Sequence, residues 1–229
     1  MSIHSLRKAI ADAKRLEWLT GAFELSLRSK RTQLHRAIQI PRHHSSDILV
    51  EFVTDYIEHT VTLIESIQQR VRRLGLEEAI APAIQTALAF FRAPPLPSRE
   101  LVAGNEPKLY QLMEQSYLAQ RLLEEVSDLC ALWRNNPLSP FENTQASLII
   151  HQLIGEKRAN QLDTIASRLA REHLPAIRQS ESSKRGLDDE EPTTDLEFSH
   201  PTLRLNTNVR LKIGSPEPRP VLKYYSSDQ

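Results

Sequence analysis

The chain has 229 residues, room for one domain with an appendage or for two small ones, and its 29 Lys and Arg offset 29 Asp and Glu, so net charge draws it neither to nucleic acid nor to an anionic membrane. Hydrophobic residues, at 40%, suffice for a core, and six glycines among abundant Leu, Ala, Glu, Arg and Gln favour helix over sheet. A single cysteine, Cys130, excludes an intramolecular disulfide and a cysteine-based zinc site.

The opening residues, MSIHSLRKAIADAKRLEW, lack the unbroken apolar core of a secretory signal. No run reaches the roughly 18 apolar residues of a membrane span. The expectation is a cytoplasmic protein with no membrane partner.

The spacing predicts a first helix from about Ser5 to Ile38. Leu6, Ala9, Ala13, Leu16, Leu19, Phe23, Leu27, Leu34 and Ile38 share one side of its wheel, and Pro41 ends it. Trp18, Ala22 and Leu25 form a second, weaker apolar face opposite that stripe. A helix apolar on two sides is covered on two sides, here by the short crossover helix or by another protein. The end of this helix and the following loop are basic, with Arg28, Lys30, Arg31, His35, Arg36, Arg42, His43 and His44. They form a candidate anion or nucleic-acid patch, set against the simpler reading of cations suited to a helix C-terminus.

A second helix starts at Ser45, Ser46 and Asp47 and runs to about Arg73, with the stripe Leu49, Phe52, Val53, Tyr56, Ile57, Thr60, Leu63, Ile64, Ile67 and Val71. Arg70, Arg72 and Arg73 occupy its last turn and Gly75 its C-cap. A shorter apolar helix covers about Leu76 to Arg92, and APPLPSRELVAGNEP reads as loop. The next long helix spans about Glu106 to Trp133 with the stripe Leu109, Leu112, Met113, Ser116, Ala119, Leu123, Val126, Cys130 and Ala131. The last begins at a capping box, Ser139, Pro140 and Glu142, and runs to about His173, with Pro175 as its stop.

Short loops join the first two and the last two long helices, which implies antiparallel neighbours, and a connection of about thirty residues holds the short helix between them. The expected fold is all-α: an antiparallel four-helix bundle of two helical hairpins joined by a crossover segment with an extra short helix, over residues 1–177. Residues 178–229 read as a mostly disordered tail, polar and acidic at SESSKRGLDDEEPTTD. Within it, residues 203–213 alternate as a strand does, with Leu203, Leu205, Val209, Leu211 and Ile213 on one side. Such a strand needs a sheet edge, and a partner's edge is a candidate.

A crossover bundle raises the possibility of a di-metal carboxylate centre, which requires inward Glu residues and Glu-x-x-His pairs. Here Glu51, Asp55 and Glu58 lie opposite one stripe, Glu114, Glu124 and Glu125 lie off another, and no predicted helix carries a Glu-x-x-His pair. No metal ligand, cofactor or catalytic residue is therefore nominated. Cys130 reads as a buried apolar group, and no nucleophile elbow or glycine-rich phosphate loop occurs. His151, Gly155 and Arg158 intrude on the last stripe, among Leu148, Ile154, Leu162, Ile165, Ala166 and Leu169, and mark a candidate polar pocket or a close helix contact.

The sequence thus points to a non-enzymatic interaction or adaptor module, self-associating or docking a protein partner through helix faces and the tail. The alternatives are a helical enzyme or metal-binding protein with a pocket at His151 and Arg158, and, less favoured, a nucleic-acid-associated protein using residues 28–44.

Overall fold

The computed structural model describes residues 1–30, 32, 34, 38–40, 45–95, 107–129, 141–185 and 209–211. Over these residues the chain is predominantly helical, with seven helices and one antiparallel pairing of two residues on each side. No described helix is long and apolar enough to cross a membrane.

Helix α1 (Ile3–Thr20) opens on Ser2, whose hydroxyl accepts the Ser5 N–H at 3.1 Å, an N-cap that satisfies one of the free donors of the first turn. It ends at Gly21, in the left-handed region at φ 58°. Helix α2 (Ala22–Ser29) starts at once, and its first N–H groups are capped from behind: the Glu17 carboxylate accepts from Phe23 at 2.8 Å and Glu24 at 2.9 Å. The single helix expected over residues 5–38 is therefore broken at Gly21, and Ile38 stands in a strand. The break re-aims the apolar stripe. Phe23 and Leu27 are buried, whereas Leu16 and Leu19, expected in the core, are 43% and 62% exposed.

Helix α3 (Ser45–Leu74) matches its predicted span and buries every residue of its predicted stripe. Gly75, at φ 60°, closes it: its N–H reaches Arg72 O at 3.1 Å and that of Leu76 reaches Val71 O at 2.9 Å, a double bond pattern that satisfies two terminal carbonyls. Arg70, expected as a solvated cation of the last turn, is instead buried. Helix α4 (Glu77–Ala89) follows, with Pro82 inside it and six apolar side chains turned inward.

Helix α5 (Lys108–Leu129) organises the rest. It packs against α1, α2, α3 and α4, and against the two helices that follow it. A helix packed against this many neighbours keeps little solvent face, so Glu114, Ser116, Gln120 and Ser127 are buried beside Leu112, Met113, Leu122 and Val126.

Helices α6 (Phe141–Ile154) and α7 (Glu156–Arg185) replace the single last helix of the sequence reading. Gly155, at φ 99°, separates them. A Cβ there would meet nothing within 4 Å, so this glycine serves a backbone conformation and not a close helix contact. Leu148, expected in the core, is 49% exposed. Pro175 does not stop α7. The helix continues to Arg185, because Pro175 and the turn before it face solvent, where water can donate to the Arg171 carbonyl that proline leaves unpaired, while Ile177 beyond it is buried. The capping box at Ser139 and Pro140, and the predicted stripe residues Cys130 and Ala131, lie outside the described residues.

Strand β1 (Ile38–Gln39) pairs antiparallel with β2 (Arg210–Leu211), in the register Ile38↔Leu211 and Gln39↔Arg210. Val209 is buried, and β2 also contacts α6. Part of the alternating tail segment thus finds its sheet edge within the same chain.

Candidate functional site

The residue pair nearest to a built site joins α5 to α7. Arg158 donates from Nε and a terminal nitrogen to the two oxygens of Glu114 at 3.1 and 2.9 Å, a bidentate pair whose side chains are only 18% and 10% exposed. Two charges are tolerated there because each meets its counterpart in fork geometry. The pair forms one wall of a cavity of about 600 Å³ bounded by α1, α5, α7 and the residues after α4. Ala9, Ala13, Leu112, Leu118, Leu162 and Phe91 supply its apolar lining, and Asp12, Arg92 and Lys108 the remaining charges.

Of the three residues expected to mark a pocket, Arg158 lines this cavity, and His151 and Gly155 do not. His151 is half-buried on α6, with Nε2 3.2 Å from Asn160 Oδ1 and its ring edge-on to Tyr117 at 6.3 Å between centroids. It belongs to a second polar cluster along α5 and α7. There Arg121 donates to Asp163 at 3.1 Å, Glu124 at 2.6 Å and Glu125 at 3.2 Å, and the Tyr117 hydroxyl donates to Asp163 at 2.8 Å. Burial pulls the Arg121 pKa down, but the Glu124 and Asp163 carboxylates outweigh it and hold the guanidinium firmly charged. Burial and the adjacent Asp163 push the Tyr117 phenol up, so it stays protonated and donates. This cluster is a locked ion network. Among the described residues no group of three or more His, Cys, Asp or Glu is placed to hold a metal ion.

Near Gly21 several apolar side chains are exposed beside charged ones such as Lys14, Glu17 and Glu51. Trp18 is 84% exposed and Leu25 60%, with Leu16 and Leu19 beside them in sequence, while Ala22 is half-buried. The crossover helix α4 lies on α3, α5 and α7, so it does not supply the cover for the Trp18 face. In the basic region, Arg28 is paired with Glu24, and Lys30 sits over the Tyr110 ring with Nζ 5.3 Å from its centroid. Both cations are thus engaged within the chain, and Arg31, Arg36 and Arg42 lie outside the described residues. Of the strand-forming candidates, Val209 and Leu211 flank and enter β2, whereas Leu203, Leu205 and Ile213 lie outside the described residues.

The helical wheels missed several buried polar groups, Glu114, Gln120 and His59 among them. Glu114 lies off the Leu112–Val126 stripe yet is buried, because α5 keeps little solvent face. Gln120 donates to Thr60 Oγ1 at 2.8 Å and to Tyr56 O at 3.3 Å, tying α5 to α3. His59 is 6% exposed, Nε2 has no hydrogen-bond partner, and burial lowers its pKa to about 4. The adjacency of Glu58 and His59 hides this, since the two side chains diverge: Glu58 reaches Lys14 at 2.6 Å at the surface. Comparison with protein-family models, curated proteins and solved structures finds no match for this chain.

Proposed function

We propose that the chain is a non-enzymatic interaction module, an adaptor that docks a protein partner or a second copy of itself through the apolar surface at the α1–α2 turn. The observation that carries this reading is the exposure of Trp18, at 84%, with Leu16, Leu19 and Leu25 exposed within the same ten residues. Single exposed apolar residues are ordinary, but a tryptophan this exposed, with exposed leucines near it in sequence, has the character of an interface anchor. The scaffold we infer is a bundle with α1, α3, α5 and α7 as its long members and α4 as the crossover, with α5 at its middle. The pairing of β1 with β2 supports a narrower role for the tail than a free arm, because residues 209–211 already have an edge within the chain.

The test is light scattering of the full chain over a range of concentrations, with affinity capture alongside, comparing the native protein with Trp18→Ser. Trp18 is exposed, so its removal leaves the fold intact, and loss of self-association or of a captured partner is the expected result. A native protein that stays monomeric and retains nothing, or a Trp18→Ser variant that associates as the native chain does, refutes the reading.

A further inference from the structure

We propose that the cavity between α1, α5, α7 and the residues after α4 binds a small amphipathic anion, with its apolar body against the alanine face of α1 and its charged head at Arg92 and Lys108. This goes beyond the docking surface at Trp18 and does not depend on it.

The cavity exists because α1 turns small side chains toward it. Ala9 and Ala13 stand where larger residues would fill the space, opposite Leu112, Leu118 and Leu162. Its volume of about 600 Å³ falls within the range of small-molecule sites, roughly 300–1,000 Å³. The charges divide into two groups. Glu114 and Arg158 neutralise each other, so Arg158 is not a free cation for a ligand. Arg92 and Lys108 have no carboxylate partner among the described residues. Lys108 opens α5, whose first turn contains no acidic residue, so the free N–H groups there add to the positive field. Among the described lining residues, Asp12, exposed on α1, is the one opposing carboxylate outside the Glu114–Arg158 pair.

This arrangement selects against other ligand classes. A cationic amphiphile would bring its head to two unpaired cations. A polyphosphate would set several charges against apolar walls and beside Asp12 and Glu114. A neutral alkyl chain would fill the walls but leave the two cations unmet. A single negative charge on an apolar body satisfies both parts.

The experiment is isothermal titration of the full chain with decanoate, decanol and decyltrimethylammonium below their aggregation concentrations, together with the carboxylate series from hexanoate to decanoate. Decanoate is expected to bind one per chain, with affinity rising roughly fourfold per methylene. Decanol should bind about tenfold more weakly, and the double variant Arg92→Ala, Lys108→Ala should lower decanoate to the affinity of decanol. Asp12→Asn should tighten decanoate. The rim cations face outward, so these variants are expected to keep the native thermal midpoint. Equal binding of decanol and decanoate, or undiminished decanoate binding by the double variant, overturns the assignment of the head. An affinity independent of chain length, or no binding at all, overturns the site. Trp18→Ser should bind decanoate as the native chain does, which separates failure of this proposal from failure of the docking surface.

Discussion

His59 should make the stability of this protein depend on pH between about 6.5 and 4. The imidazole is 6% exposed, Nε2 lacks a hydrogen-bond partner, and burial is the one cause that lowers its pKa from 6.5 to about 4. Because the folded value lies below the unfolded one, the unfolded chain takes up this proton first. The contribution of neutral His59 is then fully present above about pH 6.5 and is lost as pH falls toward 4. The whole interval of 2.5 units corresponds to about 3 kcal/mol at 1.36 kcal/mol per unit, and about 2 kcal/mol of it is gone by pH 5. The assay is urea unfolding from pH 7.5 to 4.5, comparing the native chain with His59→Leu. Every other titratable group is common to the two proteins, so the difference between the two stability curves isolates His59. That difference should be small or in favour of His59→Leu at pH 7.5, since leucine leaves no buried nitrogen unpaired, and should widen in favour of the variant on acidification. Parallel curves would show that His59 protonates freely in the folded protein, and the burial argument would be wrong.

Two further outcomes follow from the α5–α7 contact and the turn before α7. Glu114→Ala takes the bidentate carboxylate from the Arg158 guanidinium, which is 18% exposed, and should cost about 2–3 kcal/mol in denaturant unfolding, whereas the double variant Glu114→Leu, Arg158→Met should recover most of that loss. Gly155→Ala should lower stability by about 1–2 kcal/mol, measured as a fall in thermal midpoint; the whole cost is the φ of 99°, since a methyl group there meets no neighbour, and Gly155→Asn should cost less.

How far the sequence reveals this molecule depends on how many sides of each helix are covered. Helix α3 has one broad buried face, and there every residue of the predicted stripe from Leu49 to Val71 is in the core, with His59, Val61 and Arg70 buried beyond it. At Gly21 and Gly155 the wheels run on through a glycine, because amphipathic spacing persists across a break that is written in one residue's conformation and, at Gly21, in the long-range cap from Glu17. Leu16, Leu19 and Leu148 are misassigned to the core for that reason: each is in phase with its stripe, but the neighbouring segment turns away before anything can cover it. Helix α5 fails differently. A wheel assumes a broad solvent side on which polar residues are at no cost, and α5 keeps only a narrow one. Its buried polar groups must then be answered from other helices, Glu114 by Arg158 and Gln120 by Thr60, partners 44 and 60 residues away in sequence. Nothing in the local pattern around Glu114 distinguishes it from the solvated Glu58, which meets its own distant partner, Lys14, at the surface. The one local hint is on the other side of the pair, at Arg158. A charged residue inside an apolar stripe states that a counter-charge must exist, though not where. The cavity follows from the same logic, since Ala9 and Ala13 read as ordinary stripe positions until Leu112 and Leu162 are placed opposite them and the space between is left open.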